Sequence, residues 1–345
     1  MLTEISNDLI HHFLHKCDVD EYLKSPIMKT LYESLNKDYK NSKIKMKPGF
    51  SEYPLSEFIS PSLRKKIAIH QNVLTYEWTT QSKYNVKNVL NIYLKDGDEY
   101  NLPNVERLIN AISYITSFSN KPRSITIHLC LLNDKKVLRK NSQNLTPLNI
   151  NSGSNRYTHT ESEICIFRRE ECIKVIFHEI IHGLRFSHLG DHDIITQRLC
   201  QKYNLDSKEI LIDESYTEVW SKLLNAYFIS SLTNSNTKFQ HFCTMLAIEK
   251  EFSLYQGNKI KGFIKKSKNK NLDKDTNVSA YYLVVGEIFS NLEEFLMNCE
   301  NNPYLTDKES CLAYLYNLNM IQKRSVKQSD KYYNTLRMSV SELSV

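Results

Sequence analysis

Side chains that favour β-structure are concentrated in a few short stretches of the chain. Residues 67–80, 86–95 and 124–132 are rich in β-branched and aromatic side chains, and the last of these alternates between apolar and polar positions. The run ESEICIFRR at 161–169 has the same character. We predict that these four stretches are strands. Apolar residues recur at helical spacing from Pro103 to Phe118, which predicts a helix between the second and third strands.

The second half of the chain is dominated by helical periodicity. A polar segment from Lys135 to about Thr160 is predicted to be a loop, and the strand after it leads directly into a helix from about Glu170 to Phe186. Further helices are predicted at 207–231, 236–256, 277–300 and 306–322. This order favours an α+β fold, in which a lobe with a mixed sheet is followed by a mainly helical lobe.

The same pattern divides the chain into three parts. Residues 1–85 form an N-terminal extension that is helical or irregular and contains the start of the sheet. Residues 86–190 form the α+β lobe, and residues 191–345 form the helical lobe. With 345 residues, of which 41% are hydrophobic, the chain is long enough to bury a large core.

Composition argues against several classes of protein. No stretch reaches the eighteen or so consecutive apolar residues of a membrane-spanning helix. The first residues lack the basic start and apolar run of a secretory signal peptide. We therefore expect no membrane partner, and a location in the cytoplasm of a cell or inside a viral particle. The eight cysteines are scattered without a CxxC pair, which argues against a disulfide framework.

Basic residues are only slightly in excess over the whole chain. The formal net charge of +6 does not by itself indicate binding of nucleic acid. Seven lysines are concentrated at 259–275, in KIKGFIKKSKNKNLDKD. We interpret this segment as a solvated loop, with a charged contact surface as the alternative. Binding of nucleic acid through these lysines is the least favoured of the functions considered.

The motif HEIIH, from His178 to His182, carries the strongest chemical signal. A helix turns about 100° per residue, so the two histidines lie about 40° apart around the axis and can bind one metal ion. Glu179 lies on the same side, where it can take a proton from an attacking water. The opposite face of the helix is apolar and is expected to pack on the core.

A zinc site needs a third protein ligand, and two candidates follow the motif. Glu214 lies thirty-two residues after His182, in DESYTEVW, with Glu218 one helical turn later. His188 lies six residues after His182, at the position of the last histidine in HExxHxxGxxH, but Arg185 stands where that motif has glycine. The residues alone leave both candidates open.

The HEIIH motif followed by Glu214 and Glu218 resembles the gluzincins, a branch of the zincin metallopeptidases. The resemblance implies zinc as the cofactor, with His178, His182 and Glu214 as ligands and Glu218 as the acid that orients the first histidine. It also implies a zincin-like fold, in which the strand before the motif helix forms the edge of the sheet. Residues 161–169 occupy that place and would pair with an extended peptide substrate.

By the order of its elements, the resemblance covers about residues 86–230. Two departures are visible: Asp213 stands in place of the usual asparagine, and Glu218 in place of the usual aspartate. The abundance of Asn, Lys, Ile and Tyr is typical of an AT-rich genome. The chain is also similar to metallopeptidase-like proteins of large DNA viruses.

The function expected from the resemblance is hydrolysis of peptide bonds in a peptide or protein substrate, with Glu179 as general base. Gluzincins stabilise the oxyanion with a tyrosine or histidine from the downstream helical lobe, and Tyr281 and Tyr282 occupy the comparable interval. One alternative is a metzincin-like peptidase that uses His188 as its third ligand. The other is a non-catalytic interaction or virion protein that retains the zincin scaffold.

Overall fold

The strands of the protein are assembled into one sheet, as seen in a computed structural model that describes residues 2–98, 101–139, 144–190, 193–205, 210–233, 236–267, 276–298, 302–304, 307–318 and 325–345. The strands are β1 (Lys40–Asn41), β2 (Lys45–Phe50), β3 (Asn72–Gln81), β4 (Asn85–Leu94), β5 (Arg123–Leu132), β6 (Gly153–Tyr157) and β7 (Glu161–Arg168).

The other regular elements of the described residues are helices. The α-helices are α1 (Glu4–Leu14), α2 (Val19–Leu23), α3 (Pro26–Leu35), α4 (Pro61–Ile67), α5 (Leu102–Thr116), α6 (Pro147–Ile150), α7 (Cys172–Leu184), α8 (Asp193–Tyr203), α9 (Ile212–Ser231), α10 (Lys238–Lys266), α11 (Val285–Ser290), α12 (Leu292–Asn298) and α13 (Lys308–Asn317). A π-helix, Ser279–Val284, immediately precedes α11. No helix in the described ranges is both long and apolar enough to cross a membrane.

The sheet is mixed, as predicted. Its order is β3, β4, β5, β7 and β6, and both β1 and β2 pair with the outer side of β3. Strands β4, β5 and β7 are parallel, whereas β3 and β6 are antiparallel to their neighbours. Leu90 pairs with Ile127, and Ile127 with Ile164, and all three side chains are buried. The predicted α+β class is therefore confirmed at the level of a mixed sheet combined with many helices.

The expectation that residues 161–169 form the edge of the sheet is wrong. Strand β7 lies between β5 and β6, so β6 is the edge strand. The sequence of β6, GSNRY, lies in the segment that was predicted to be a loop. Its side chains are small or polar and show no apolar alternation, so the strand is formed by main-chain pairing with β7 and not by a hydrophobic pattern.

The N-terminal residues share the core of the helical lobe. Met28 and Leu31 of α3 are buried in one hydrophobic cluster with residues of α9 and α10. Helix α10 continues to Lys266, so the loop predicted from residue 259 is wrong over 259–266, where Ile260 and Phe263 extend the buried face of the helix. Residues 268–275 of the lysine-rich segment lie outside the described residues.

Helix α7, which carries the HEIIH motif, is buried between the sheet and α9. Every residue of this helix except His182 is buried. A Cβ atom at Gly183 would lie 2.4 Å from Oγ of Ser162, so the close approach of helix and β7 requires glycine. The helix ends at Leu184, because Arg185 adopts the left-handed conformation, with φ of 59°, and its N–H bonds to the carbonyl of His182.

Candidate metal centre

His178, His182 and Glu214 bring three potential ligand atoms to one point. Nε2 of His178 lies 3.2 Å from Nε2 of His182 and 3.1 Å from Oε2 of Glu214, and the last two atoms are 3.3 Å apart. Ligands bound at about 2.0–2.1 Å to a tetrahedral zinc ion lie roughly 3.3–3.4 Å from one another. The three atoms therefore have the spacing that a single zinc ion requires. We call these residues the metal cluster.

Two helices that pack against each other position the cluster. Helix α7 supplies both histidines one turn apart, and α9 packs against it and supplies Glu214 from its first turn. The positive end of the α9 dipole favours a carboxylate at that place. Asp213 accepts a hydrogen bond from the main-chain N–H of Leu189 at 3.1 Å, which ties the segment after α7 to the start of α9.

The orientation of His178 is fixed from behind the cluster. Its Nδ1 lies 3.0 Å from Oε2 of Glu218, a side chain that is completely buried. A carboxylate accepts hydrogen bonds, so the hydrogen bond assigns the proton of a neutral imidazole to Nδ1. The lone pair of Nε2 then faces the cluster, the arrangement found in histidines that bind metals. Glu218 therefore stands where the sequence places the orienting acid.

The electrostatics of the cluster favour a cation. Burial acts to lower the pKa of His178, but hydrogen bonds to Glu214 and Glu218 outweigh it and raise the pKa to about 9. Burial acts to raise the pKa of Glu214, but the two histidines hold it well below its usual value. Both shifts have the same cause, which is the close packing of carboxylates and imidazoles in a largely buried site. A positive charge at this point is therefore strongly stabilised.

Glu179 lies between the metal cluster and the edge strand. Its side chain is buried and lines the same cleft as the cluster. A Cβ atom at Gly153 would lie 2.7 Å from Oε1 of Glu179, so a larger residue there would require the carboxylate to move. Asn155, on the same strand, donates a hydrogen bond to the main-chain carbonyl of Glu179 at 2.8 Å. Burial raises the pKa of the Glu179 carboxyl, and the nearby His178 and His182 oppose this rise.

The two adjacent tyrosines predicted for the oxyanion have different surroundings. The hydroxyl of Tyr281 donates to Oε2 of Glu214 at 2.8 Å and faces the cleft. The hydroxyl of Tyr282 donates to the main-chain carbonyl of Leu336 at 2.5 Å and is buried in the core. Both belong to the π-helix, a conformation that is frequent at functional sites. The structure thus brings Tyr281 to the metal cluster and does not bring Tyr282 there.

The alternative third ligand, His188, is not part of the metal cluster. Among the described residues, the group of side chains close enough to hold a metal consists of His178, His182 and Glu214. His188 is exposed, whereas its neighbours Ser187 and Leu189 are buried. The chain does turn at Arg185 although that position is not glycine, but the turn leaves the His188 side chain on the surface.

One charged residue of the site was not predicted from the sequence. Lys174 lies on α7 one turn before His178, and its Nζ is 2.8 Å from Oε1 of Glu218. Lys174 and His178 are four residues apart, so their side chains lie on the same side of the helix. This spacing is the feature of the sequence from which Lys174 could have been predicted. The lysine is nearly completely buried because its charge is paired with that carboxylate.

A cleft of about 350 Å³ opens beside the metal cluster. Apolar side chains from separate parts of the chain contribute to its wall, among them Phe58, Val175, Leu211 and Met338. The site thus presents two imidazole nitrogens and one carboxylate oxygen to a single point, with a further carboxylate and a cleft beside them. Comparisons of the chain with protein-family models, with curated proteins and with solved structures give no match.

Proposed function

We propose that the protein is a zinc-dependent metallopeptidase of the gluzincin type. The observation that carries the proposal is the spacing of 3.1–3.3 Å among Nε2 of His178, Nε2 of His182 and Oε2 of Glu214. Two imidazoles and one carboxylate are a ligand set of catalytic zinc sites, in which a fourth position stays open for water or substrate. These three residues would hold the ion.

Charge balance supports a divalent ion. Three carboxylates line the cleft at the cluster, those of Glu179, Glu214 and Glu218. Lys174 carries one positive charge among them, whereas Lys136, which also lines the cleft, is already paired with Glu171 at 2.7 Å. With both histidines neutral, as metal ligands must be, a divalent cation would bring the buried site to neutrality, which lowers the cost of burying these charges.

The chemistry of the proposal is shared between the ion and the side chains around it. A bound zinc ion supplies a Lewis acid, which polarises a carbonyl group and lowers the pKa of a water molecule. Glu179 takes the proton of the attacking water and delivers it to the leaving nitrogen of the peptide. Tyr281 donates a hydrogen bond to the carbonyl oxygen of the substrate as negative charge develops there.

The edge strand β6 supports an extended peptide as the substrate. Phe167 N donates to the Ser152 carbonyl at 3.0 Å, and Thr158 N donates to the Glu161 carbonyl at 2.8 Å. Hydrogen-bonded pairs alternate along an antiparallel ladder, so the main-chain groups of 153, 155 and 157 point away from β7. Among the described residues, no strand pairs with this outer side. A peptide bound there would lie next to Glu179.

The order of elements also supports a zincin-like fold. A strand of the sheet leads into the motif helix, and a later helix supplies the glutamate ligand. The observed edge strand is antiparallel to its neighbour and borders the cleft. These are the features by which the resemblance to gluzincins extends beyond the two short motifs.

Removal of the metal is expected to abolish hydrolysis of a mixed peptide library, and addition of one equivalent of zinc is expected to restore it. Without the ion, neither the carbonyl nor the water is activated, and Glu179 alone is a weak base. Cleavage is measured by mass spectrometry of the digested library. A protein without stoichiometric zinc would contradict the proposal, and one that holds zinc but cleaves nothing would favour the non-catalytic scaffold.

Tyr281→Phe is expected to lower kcat by about 10²–10³-fold, the loss typical of removing one oxyanion donor, with little change in KM. Tyr282→Phe is the matched control, because its hydroxyl bonds only to a main-chain carbonyl in the core. That variant is expected to lose roughly 1 kcal/mol of stability and no rate. Steady-state kinetics on a cleaved library peptide compare the two. Equal rates for wild type and Tyr281→Phe would remove this tyrosine from the mechanism.

A further inference from the structure

A lysine lies almost completely buried behind the metal cluster. Lys174 occupies the position one helical turn before His178, and its side chain is 2% exposed. Its Nζ lies 2.8 Å from Oε1 and 2.9 Å from Oε2 of Glu218, and 3.6 Å from Sδ of Met338. The ammonium group therefore contacts both oxygens of one carboxylate.

Glu218 connects this lysine to the first histidine of the motif. Its side chain is 0% exposed, and Oε2 is shared between Lys174 and Nδ1 of His178, which lies 3.0 Å away. The hydroxyl of Ser221 adds a longer contact of 3.5 Å. A buried carboxylate is stable only when it is paired and hydrogen-bonded, and Lys174 supplies the charge partner. The carboxylate is thereby held from two sides in a single orientation.

We propose that Lys174 is a positioning residue of the metal site. By fixing the carboxylate of Glu218, it holds the imidazole of His178 in the orientation in which the Nε2 lone pair faces the ion. The inference rests on the proposed function, since it takes His178 as a zinc ligand. Lys174, Glu218 and His178 then form a buried chain of ammonium, carboxylate and imidazole that supports the ion from behind.

A second buried lysine offers a matched comparison. Lys136 also lines the cleft, its side chain is 1% exposed, and its Nζ lies 2.7 Å from Oε2 of Glu171. Glu171 accepts further hydrogen bonds from main-chain N–H groups of Met338 and Ser339, and it contacts none of the proposed ligands. Breaking this ion pair removes a buried charge pair of the same kind without touching Glu218.

Lys174→Met is expected to weaken zinc binding by about 10–100-fold, the loss typical of removing the partner that orients a metal ligand. The methionine fills a similar volume but leaves the Glu218 carboxylate without its charge partner, so the carboxylate holds His178 less firmly in place. Zinc affinity is measured by competition with a chromophoric chelator. Lys136→Met is expected to keep the wild-type affinity within about twofold, because the ammonium group of Lys136 is paired with Glu171 and not with Glu218.

Two further variants keep the test decisive if Lys174→Met does not fold. Lys174→Gln retains a hydrogen-bond donor but no charge, and it is expected to lose zinc affinity by about 10-fold. In a Glu218→Gln protein the carboxylate is already absent, so adding Lys174→Gln is expected to change the affinity by no more than about twofold. The inference fails if Lys174→Gln binds zinc like the wild type, or if Lys136→Met loses as much as Lys174→Met.

These outcomes separate the inference from the proposed function. A wild-type protein that does not bind zinc contradicts the proposed function itself. A wild-type protein that binds zinc, with variants of Lys174 that bind it equally well, contradicts only the positioning role.

Discussion

Glu179→Gln is expected to bind zinc like the wild-type protein and to hydrolyse peptides about 10²–10⁴-fold more slowly. Glutamine has the shape of glutamate and leaves the main-chain carbonyl at 179 free to accept its bond from Asn155. It has no carboxylate, so it cannot take the proton of an attacking water. Zinc content and kcat/KM on a peptide from the digested library measure the two effects separately.

The control for this variant is an exposed glutamate far from the cleft. Glu33 of α3 is exposed, and Glu33→Gln is expected to keep both zinc and activity. Loss of zinc in Glu179→Gln would mean that the carboxylate supports the metal and is not the base. Unchanged hydrolysis in a zinc-loaded Glu179→Gln protein would contradict the catalytic assignment.

The part of the site that could be predicted from the sequence is the part that depends on one helix. His178, Glu179 and His182 lie within two turns of α7, so the period of the helix already places them on one side. The choice between Glu214 and His188 as third ligand could not be made from the sequence. It depends on how α9 packs against α7 and on which way the chain turns after Arg185, and both are tertiary properties.

Strand β6 could not be predicted because its pattern is not hydrophobic. The sequence GSNRY forms a strand only because β7 offers main-chain partners along one side. Gly153, which leaves room for the Glu179 carboxylate beside it, has the appearance of a turn residue in the sequence. The strand that borders the cleft thus lacks the apolar alternation by which strands are predicted from a sequence.

Lys174 was hidden for a similar reason. A lysine in a helix usually lies at the surface, and its burial here depends on a carboxylate forty-four residues later in the chain. The sequence did not distinguish Tyr281 from Tyr282. The hydroxyl of Tyr281 reaches Glu214 and that of Tyr282 reaches the core because both lie in a π-helix, and the sequence pattern did not predict that helix.

Glu214→Ala is expected to weaken zinc binding by more than the roughly 100-fold that loss of an orienting partner costs, because it removes a ligand atom outright. In this variant His178 and His182 supply only two of the three ligand atoms. The carboxylate that accepts the hydrogen bond of the Tyr281 hydroxyl is lost as well. Peptide hydrolysis should fall below detection in parallel. Zinc affinity is measured by chelator competition, and the zinc-free proteins are compared by thermal unfolding, so that loss of metal is not confused with loss of fold.

His188→Ala decides between the two candidate ligands in the same assay. Its side chain is exposed and lies outside the metal cluster, so the variant is expected to hold zinc and to cleave peptides like the wild type. The opposite pair of results, with zinc kept in Glu214→Ala and lost in His188→Ala, would require the segment after α7 to fold back onto the histidines. That outcome would replace the gluzincin proposal with the metzincin-like alternative. If Glu214→Ala loses zinc and His188→Ala keeps it, the result supports Glu214 as the third ligand.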